Sequence, residues 1–252
     1  MKLVSGIVAA AAILLIPTTA HAQEAARPYV SGIYYQCQIP GQDRADAIMR
    51  NVIAPVYDKH LAAGHILSWG WLGHRSGGAW RRLGYFTAPS LDAVFDMQDT
   101  ILAELRKDHQ KEMTELNTIC PTHDDYIWRG TTAAASASPA QQRTAVGHSS
   151  YMQCTIGLES EADAIIASVV APVMEKHKAA GHINGWNWLQ HVSGGKYRRL
   201  MVVDGPTHKE TAKAFGAIIQ ELGQTQPDAM RRFSEICYSH QDYMWDVLAS
   251  KP

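Results

Sequence analysis

The stretch HILSWGWLGHRSGGAWRRL, His65–Leu83, returns 117 positions later as HINGWNWLQHVSGGKYRRL, His182–Leu200. Both copies keep a tryptophan pair, a histidine, a double glycine and a double arginine at the same spacing. Extended outward at the same offset, Tyr34–Trp128 aligns with Tyr151–Trp245 without a gap, and 40 of 95 positions are identical. Agreement on that scale reads as an internal duplication. It is uneven: 25 of 39 positions match from Ala45 to Leu83, whereas few match from Leu91 to Leu116.

Each copy reads strand, helix, strand, strand, helix, strand. Tyr34–Ile39 is a short β-type run. Arg44–Ala63 places Ala45, Ile48, Met49, Val52, Val56 and Ala63 on one helical face. Gly64 and Gly181 stand where a glycine closes that helix, and Pro55 and Pro172 should kink it. A hairpin follows, Ile66–His74 and Trp80–Thr87, turned by Gly77 and Gly78. A long amphipathic helix from about Leu91 to Leu116 leads to a final strand, His123–Trp128, matched by His240–Trp245.

The chain opens on MKLVSGIVAAAAILLIPTTAHA, a lysine, an apolar run broken by Pro17, and small residues at Ala20 and Ala22. This pattern predicts a secretory signal peptide over residues 1–22 and a periplasmic or secreted protein, a retained N-terminal anchor being the alternative. The domain plan is then a first repeat over 23–128, an Ala/Ser/Thr-rich linker over 129–149 and a second repeat over 150–252. With 23 basic and 24 acidic residues the chain is nearly neutral, which argues against nucleic acid or an anionic membrane as partner. No later segment reads as a membrane span.

A βαββαβ unit is the ferredoxin-like arrangement, and one copy leaves a sheet face uncovered. At this point the chain resembles the dimeric α+β-barrel superfamily, with its antibiotic-biosynthesis-monooxygenase-like, stress-responsive A/B-barrel and NIPSNAP-like groups. The resemblance rests on element order and pattern. It implies an α+β fold of two tandem ferredoxin-like repeats closing face to face, an intramolecular pseudo-dimeric barrel. It also allows haem on one of the histidines, although no motif selects it.

Cys37, Cys120, Cys154 and Cys237 allow three pairings. In the predicted sheet the first and fourth strands are antiparallel neighbours, so Cys37–Cys120 and Cys154–Cys237 are expected as structural disulfides, each worth roughly 4 kcal/mol. No CxxC favours a zinc or redox role.

A two-residue turn sets Leu72 opposite Leu83 and His74 opposite Arg81. Alternation then separates a face with Ile66, Leu72, His74, Leu83 and Tyr85 from one with Trp69, Trp71, Arg82 and Phe86, matched in the second copy by Trp186, Trp188, Gln190 and Arg199. The tryptophan faces are assigned to the barrel interior, together with Tyr34, Gln36, Tyr151 and Gln153. They form either a packed core or a pocket for a small apolar or aromatic molecule, with Arg82 and Arg199 holding an acidic or carbonyl end. His60, His177, His74 and His191 are the acid–base candidates. For the first pair a helix-terminus role is the competing explanation. No HExxH-type motif is present, so neither metal nor cofactor is expected, and a set built from His60, His65 and His74 would need three elements to converge. The sequence therefore points to an exported small-molecule binder, with or without cofactor-free catalysis, or else to a non-catalytic envelope protein.

Overall fold

A computed structural model describes residues 27–131 and 145–252. The signal-peptide reading and linker residues 132–144 lie outside the described residues. The first half of the chain runs β1 (Tyr29–Gln36), α1 (Gln42–Ile48), α2 (Ala54–Ala62), β2 (Ser68–Ser76), β3 (Arg82–Ala88), α3 (Leu91–Asp108), α4 (Gln110–Ile119) and β4 (Thr122–Gly130). The second runs β5 (Val146–Gln153), α5 (Glu159–Ile165), α6 (Ala171–Ala179), β6 (Gly185–Gly194), β7 (Arg199–Gly205), α7 (His208–Thr225), α8 (Pro227–Ile236) and β8 (Ser239–Lys251). Both ends of the segment read as linker belong to strands: Arg129 and Gly130 extend β4, and Val146–Ser149 begin β5.

The eight strands form a closed antiparallel barrel in the order β1-β3-β2-β8-β5-β7-β6-β4. Closure is by hydrogen bonding edge to edge, β2 to β8 and β4 to β6, which leaves no exposed sheet edge along those seams. The hairpin register is the expected one, with Leu72 opposite Leu83 and Trp71 opposite Gly84.

Two helices depart from the simple periodic reading. Between α1 and α2 the chain makes one π turn, Met49–Ile53, immediately before Pro55. The proline has no N–H to give, and the wider turn accommodates it without ending the helix. One extra residue in the turn rotates the buried face by one position. Ile53, Tyr57 and His60 therefore point inward where a regular helix would have placed Val52, Val56 and Lys59, while Ala63 is exposed. The second copy repeats this with Val170, Met174 and His177. The long outer helix is also broken, at His109 and Gln226. Pro227 explains the second break, because the residue before a proline avoids the helical region. His109 takes nearly the same backbone angles without a proline.

The tryptophan faces are turned the other way from the sequence expectation. Trp69, Trp71 and Phe86 pack with Ala45, Ile48, Met49, Ile53 and Tyr57 of the helices, and Trp186 and Trp188 pack likewise with Ile166, Val170 and Met174. The barrel interior holds Tyr34, Leu72, Trp80, Leu83, Tyr126, Trp128, Tyr151, Leu189, Tyr197, Leu200, Tyr243 and Trp245. Its rings are in direct contact: Tyr126 stacks on Trp128 with centroids 4.9 Å apart and Tyr243 on Trp245 at 5.0 Å, while Tyr34 meets Tyr151 edge to face across the barrel at 5.4 Å. Eight strands enclose just enough room for side chains to fill. No helix among the described residues is long and apolar enough to cross a membrane.

Both expected disulfides are present, Cys37–Cys120 and Cys154–Cys237, each spanning 83 residues. Each ties the end of a first strand to the end of the helix that precedes the neighbouring fourth strand. A loop of that length constrains the unfolded chain by roughly 4–5 kcal/mol. Replacing both cysteines of one pair by alanine should lower the thermal midpoint while leaving the other bridge intact in non-reducing peptide maps. An unchanged midpoint would contradict this.

Candidate functional site

The sheet face that meets the helices is polar at chosen points, and carboxylates on the helices supply the partners. Trp71 Nε1 donates to Asp46 at 2.7 Å, and Arg82 grips the same carboxylate with two bonds of 2.6 and 2.7 Å. The second half repeats the set: Trp188 donates to Asp163 at 2.7 Å, and Arg199 makes two bonds of 2.7 and 2.8 Å. Trp69 donates to Asp58 and Trp186 to Glu175. An indole N–H inside a protein needs an acceptor, and these four acids provide one for each ring. This is why the tryptophan face looks toward the helices. Burial pushes the Asp163 carboxyl up, but bonds from Arg199, Trp188 and Gln190 outweigh it and hold the group below the usual carboxylate range. Arg82 and Arg199 are thus paired with carboxylates in the helix–sheet layers and do not stand in the barrel interior, the place expected from the sequence. The four acids were missed in the sequence, although Asp46/Asp163 and Asp58/Glu175 occupy matching positions of the two copies.

Of the other residues expected to share a pocket, Tyr34 and Tyr151 lie inside the barrel, Gln36 is exposed and Gln153 is half-buried at its margin. The structure does not bring these together with Trp69, Trp71, Trp186 and Trp188, which lie on the opposite side of the sheet.

The histidines fall into two groups. His74 and His191 face the arginine next to them, with Arg81 to His74 at 2.9 Å and Arg198 to His191 at 2.8 Å. Burial first, then the neighbouring guanidinium, lowers the proton affinity of both rings. His148, against Phe215, is likewise lowered by burial. Asp125 and Asp242 lie beside His123 and His240.

His60 and His177 are buried, 3% and 7% exposed, yet fully partnered. His60 Nδ1 meets His65 Nδ1 at 3.1 Å and its Nε2 meets Glu104 at 3.2 Å, while Lys59 holds the same carboxylate at 2.8 Å. His177, His182, Glu221 and Lys176 repeat this at 3.1, 3.3 and 2.8 Å. His74 is not part of the group. Among the described residues no cluster of three or more metal-ligating side chains could hold an ion. Haem, a flat macrocycle, needs an open slot beside an axial histidine. The layers next to His60 and His177 are filled by Tyr57, Trp69, Phe86, Met174 and Trp186, so haem does not fit beside these two histidines.

One cleft of about 330 Å³ opens at the rim of the second helix–sheet layer, lined by Gly157, Glu159, Ser160, Asp163, Gln190, His191 and Arg199. Glu159 accepts from Arg198 at 2.6 Å and Gln190 donates to Asp163 at 2.9 Å. The corresponding corner of the first half carries Gln42, Asp43 and Gly73, and Leu248 lies against Gly73. Gly157, at φ 92°, sets the loop that forms one wall; its counterpart is Pro40.

Two outcomes follow from this geometry. Asp46→Ala strands a nearly buried guanidinium and an indole N–H, and should cost about 3–5 kcal/mol in chemical denaturation. Glu115→Ala, which breaks the exposed pair with Arg44, should cost no more than about 1 kcal/mol. The second outcome concerns pH. His74, His148 and His191 bind a proton less readily folded than unfolded, so the unfolded chain charges first, near the ordinary histidine value of about 6.5. Stability carried by the neutral rings is complete above that value and is lost as the pH falls below it. Glu104, Glu115 and Glu221, held low chiefly by bonds from Lys59, Arg44 and Lys176, respond only in the carboxylate range. The thermal midpoint should therefore drop between about pH 7.5 and about pH 5.5, and drop less in His148→Phe.

No protein-family model matches the sequence, and no curated protein matches it. Solved structures do match the fold. An anthrone oxidase-like protein superposes with a TM-score of 0.55 at 12% identity, over 90% of this chain and 94% of its own. Chlorite dismutase from Candidatus Nitrospira defluvii superposes with a TM-score of 0.55 at 10% identity, over 88% of this chain and 92% of its own. At such low identity the likeness speaks for architecture alone: this chain has the dimeric α+β-barrel fold, with all eight strands on one polypeptide.

Proposed function

We propose that the protein is exported and binds a small polar molecule in the cleft between the start of α5 and strands β6 and β7. The observation that carries this reading is the cleft itself, about 330 Å³, at the lower end of the roughly 300–1,000 Å³ of small-molecule sites. Its charges balance, Glu159 and Asp163 against Arg198 and Arg199, so the ligand class is a neutral or zwitterionic molecule rich in hydrogen-bonding groups. The aromatic pocket between the sheets is not part of the proposal, because aromatic rings pack against one another there. The names of the fold relatives, an oxidase-like protein and a dismutase, agree with small-molecule handling. We infer further that the barrel arose by tandem duplication, each ferredoxin-like half standing in for one subunit of a dimer. The sequence repeat and the matched disulfide spacings of 83 support that history.

A second reading, a non-catalytic structural or interaction protein of the cell envelope, is favoured by the ring-filled barrel. Native mass spectrometry of the purified mature chain separates the two. The binding reading expects a small bound species that is absent from Ser160→Trp, which fills the cleft, and retained in Asp43→Trp, the matching change in the first half. A species retained equally in both variants overturns the cleft as the binding site, and no bound species at all favours the structural reading.

A further inference from the structure

The histidine pairs are a second feature present in duplicate, and their retention is informative. Between Leu91 and Leu116 the two copies share only Ile101, Glu104, Leu105 and Met113 with their counterparts. Ile101 and Leu105 are core residues, and Met113 packs against the core. Glu104 is not: its side chain is 28% exposed, and its contacts are with Lys59 and His60. A polar residue kept in a helix that has otherwise diverged serves the histidines it touches.

We propose that each pair, His60 with His65 and His177 with His182, clasps one divalent transition-metal ion of the Cu²⁺ or Zn²⁺ class between its two Nδ1 atoms. With metal–nitrogen bonds of about 2.0–2.1 Å, two nitrogens on one ion lie about 2.9 Å apart at a right angle and about 3.4 Å apart at a tetrahedral one. Both Nδ1 pairs stand at 3.1 Å, within that interval. Glu104 and Glu221 have no hydrogen to give, so each buried histidine carries its own on Nε2 and turns the Nδ1 lone pair to its partner. A carboxylate behind the far nitrogen is the arrangement that orients histidine ligands toward metals, and Lys59 and Lys176 pin those carboxylates in turn. Without an ion, the hydrogen on His65 Nδ1 fills the gap. Metal binding moves that hydrogen to Nε2 of the same ring, leaving both rings neutral and releasing no net proton. The rings meet nearly head-on, with centroids 5.4 and 5.1 Å apart, so the exposed partner must tilt to admit the ion. His65 and His182 are exposed and follow Gly64 and Gly181, at φ 73° and 74°, where the chain leaves the helix. Two protein nitrogens leave the remaining coordination positions to water.

The test uses the full mature chain titrated with CuCl₂ and with ZnCl₂ in a non-chelating buffer, followed by calorimetry and, for copper, by electron paramagnetic resonance. The expected result is two ions per chain, each copper showing coupling to two nitrogens. His65→Ala or His182→Ala alone should leave one ion, and the double variant none; both residues are exposed, so circular dichroism should show these variants folded. Glu104→Gln should weaken one of the two sites by about 10–100-fold and spare the other. Equal binding by the double variant would assign the ions to other histidines of the chain and overturn the proposal. Failure of the wild-type chain to bind either ion would overturn it as well.

Discussion

Carboxylates on the helices accept the indole N–H of four buried tryptophans, and this pairing goes with the side of each sheet that the helices cover; inside the barrel the buried Trp245 Nε1 has no such partner. Four tryptophans on β2 and β6 point at four carboxylates on the first helical segment of each half. Asp46 and Asp163 do double duty, since Arg82 and Arg199 on the adjacent strands close onto the same oxygens. The helix is thereby fixed to two strands at once in position, rotation and depth. Hydrophobic contact alone would tolerate sliding; a bidentate ion pair with an indole on the same carboxylate does not.

With the polar contacts committed to the outer layers, the opposite sheet face is left to rings and aliphatic side chains. These meet around the barrel axis, where tyrosine and tryptophan supply area and bring few polar atoms. Trp128 Nε1 finds Tyr34 Oη at 3.1 Å, and Trp80 Nε1 reaches Asp124 near the barrel end. The rings come from both halves, so the interior is a joint between them. Edge pairing of β2 with β8 and of β4 with β6 makes the joint continuous in the backbone too.

Much of this was legible in the sequence. The double glycine at 77 and 78 fixed the hairpin register, and the repeat offset paired the cysteines once a strand order was assumed. The orientation of the faces was not legible, because alternation separates two faces without saying which one meets a helix. Acids at matching inward positions of both copies, Asp46 with Asp163 and Asp58 with Glu175, carried that signal. Regular 3.6-residue periodicity also hid the π turn before Pro55, and with it the inward rotation of Tyr57 and His60. The cleft depends on Gly157 and Gln190, positions where the copies differ, so comparing the two halves gave no hint of it.

The place of β8 in the ring has a consequence for how the molecule becomes complete. β8 is eighth in chain order, yet it stands between β2 and β5 and supplies both of their outer neighbours. A chain ending at Cys237 would keep all four cysteines and the means to form both bridges. It would still leave two long strand edges open to pairing with other molecules. Covalent integrity and closure are therefore separate conditions here, and the residues from Ser239 to Lys251 act as the keystone on which closure of the ring, rather than crosslinking, depends.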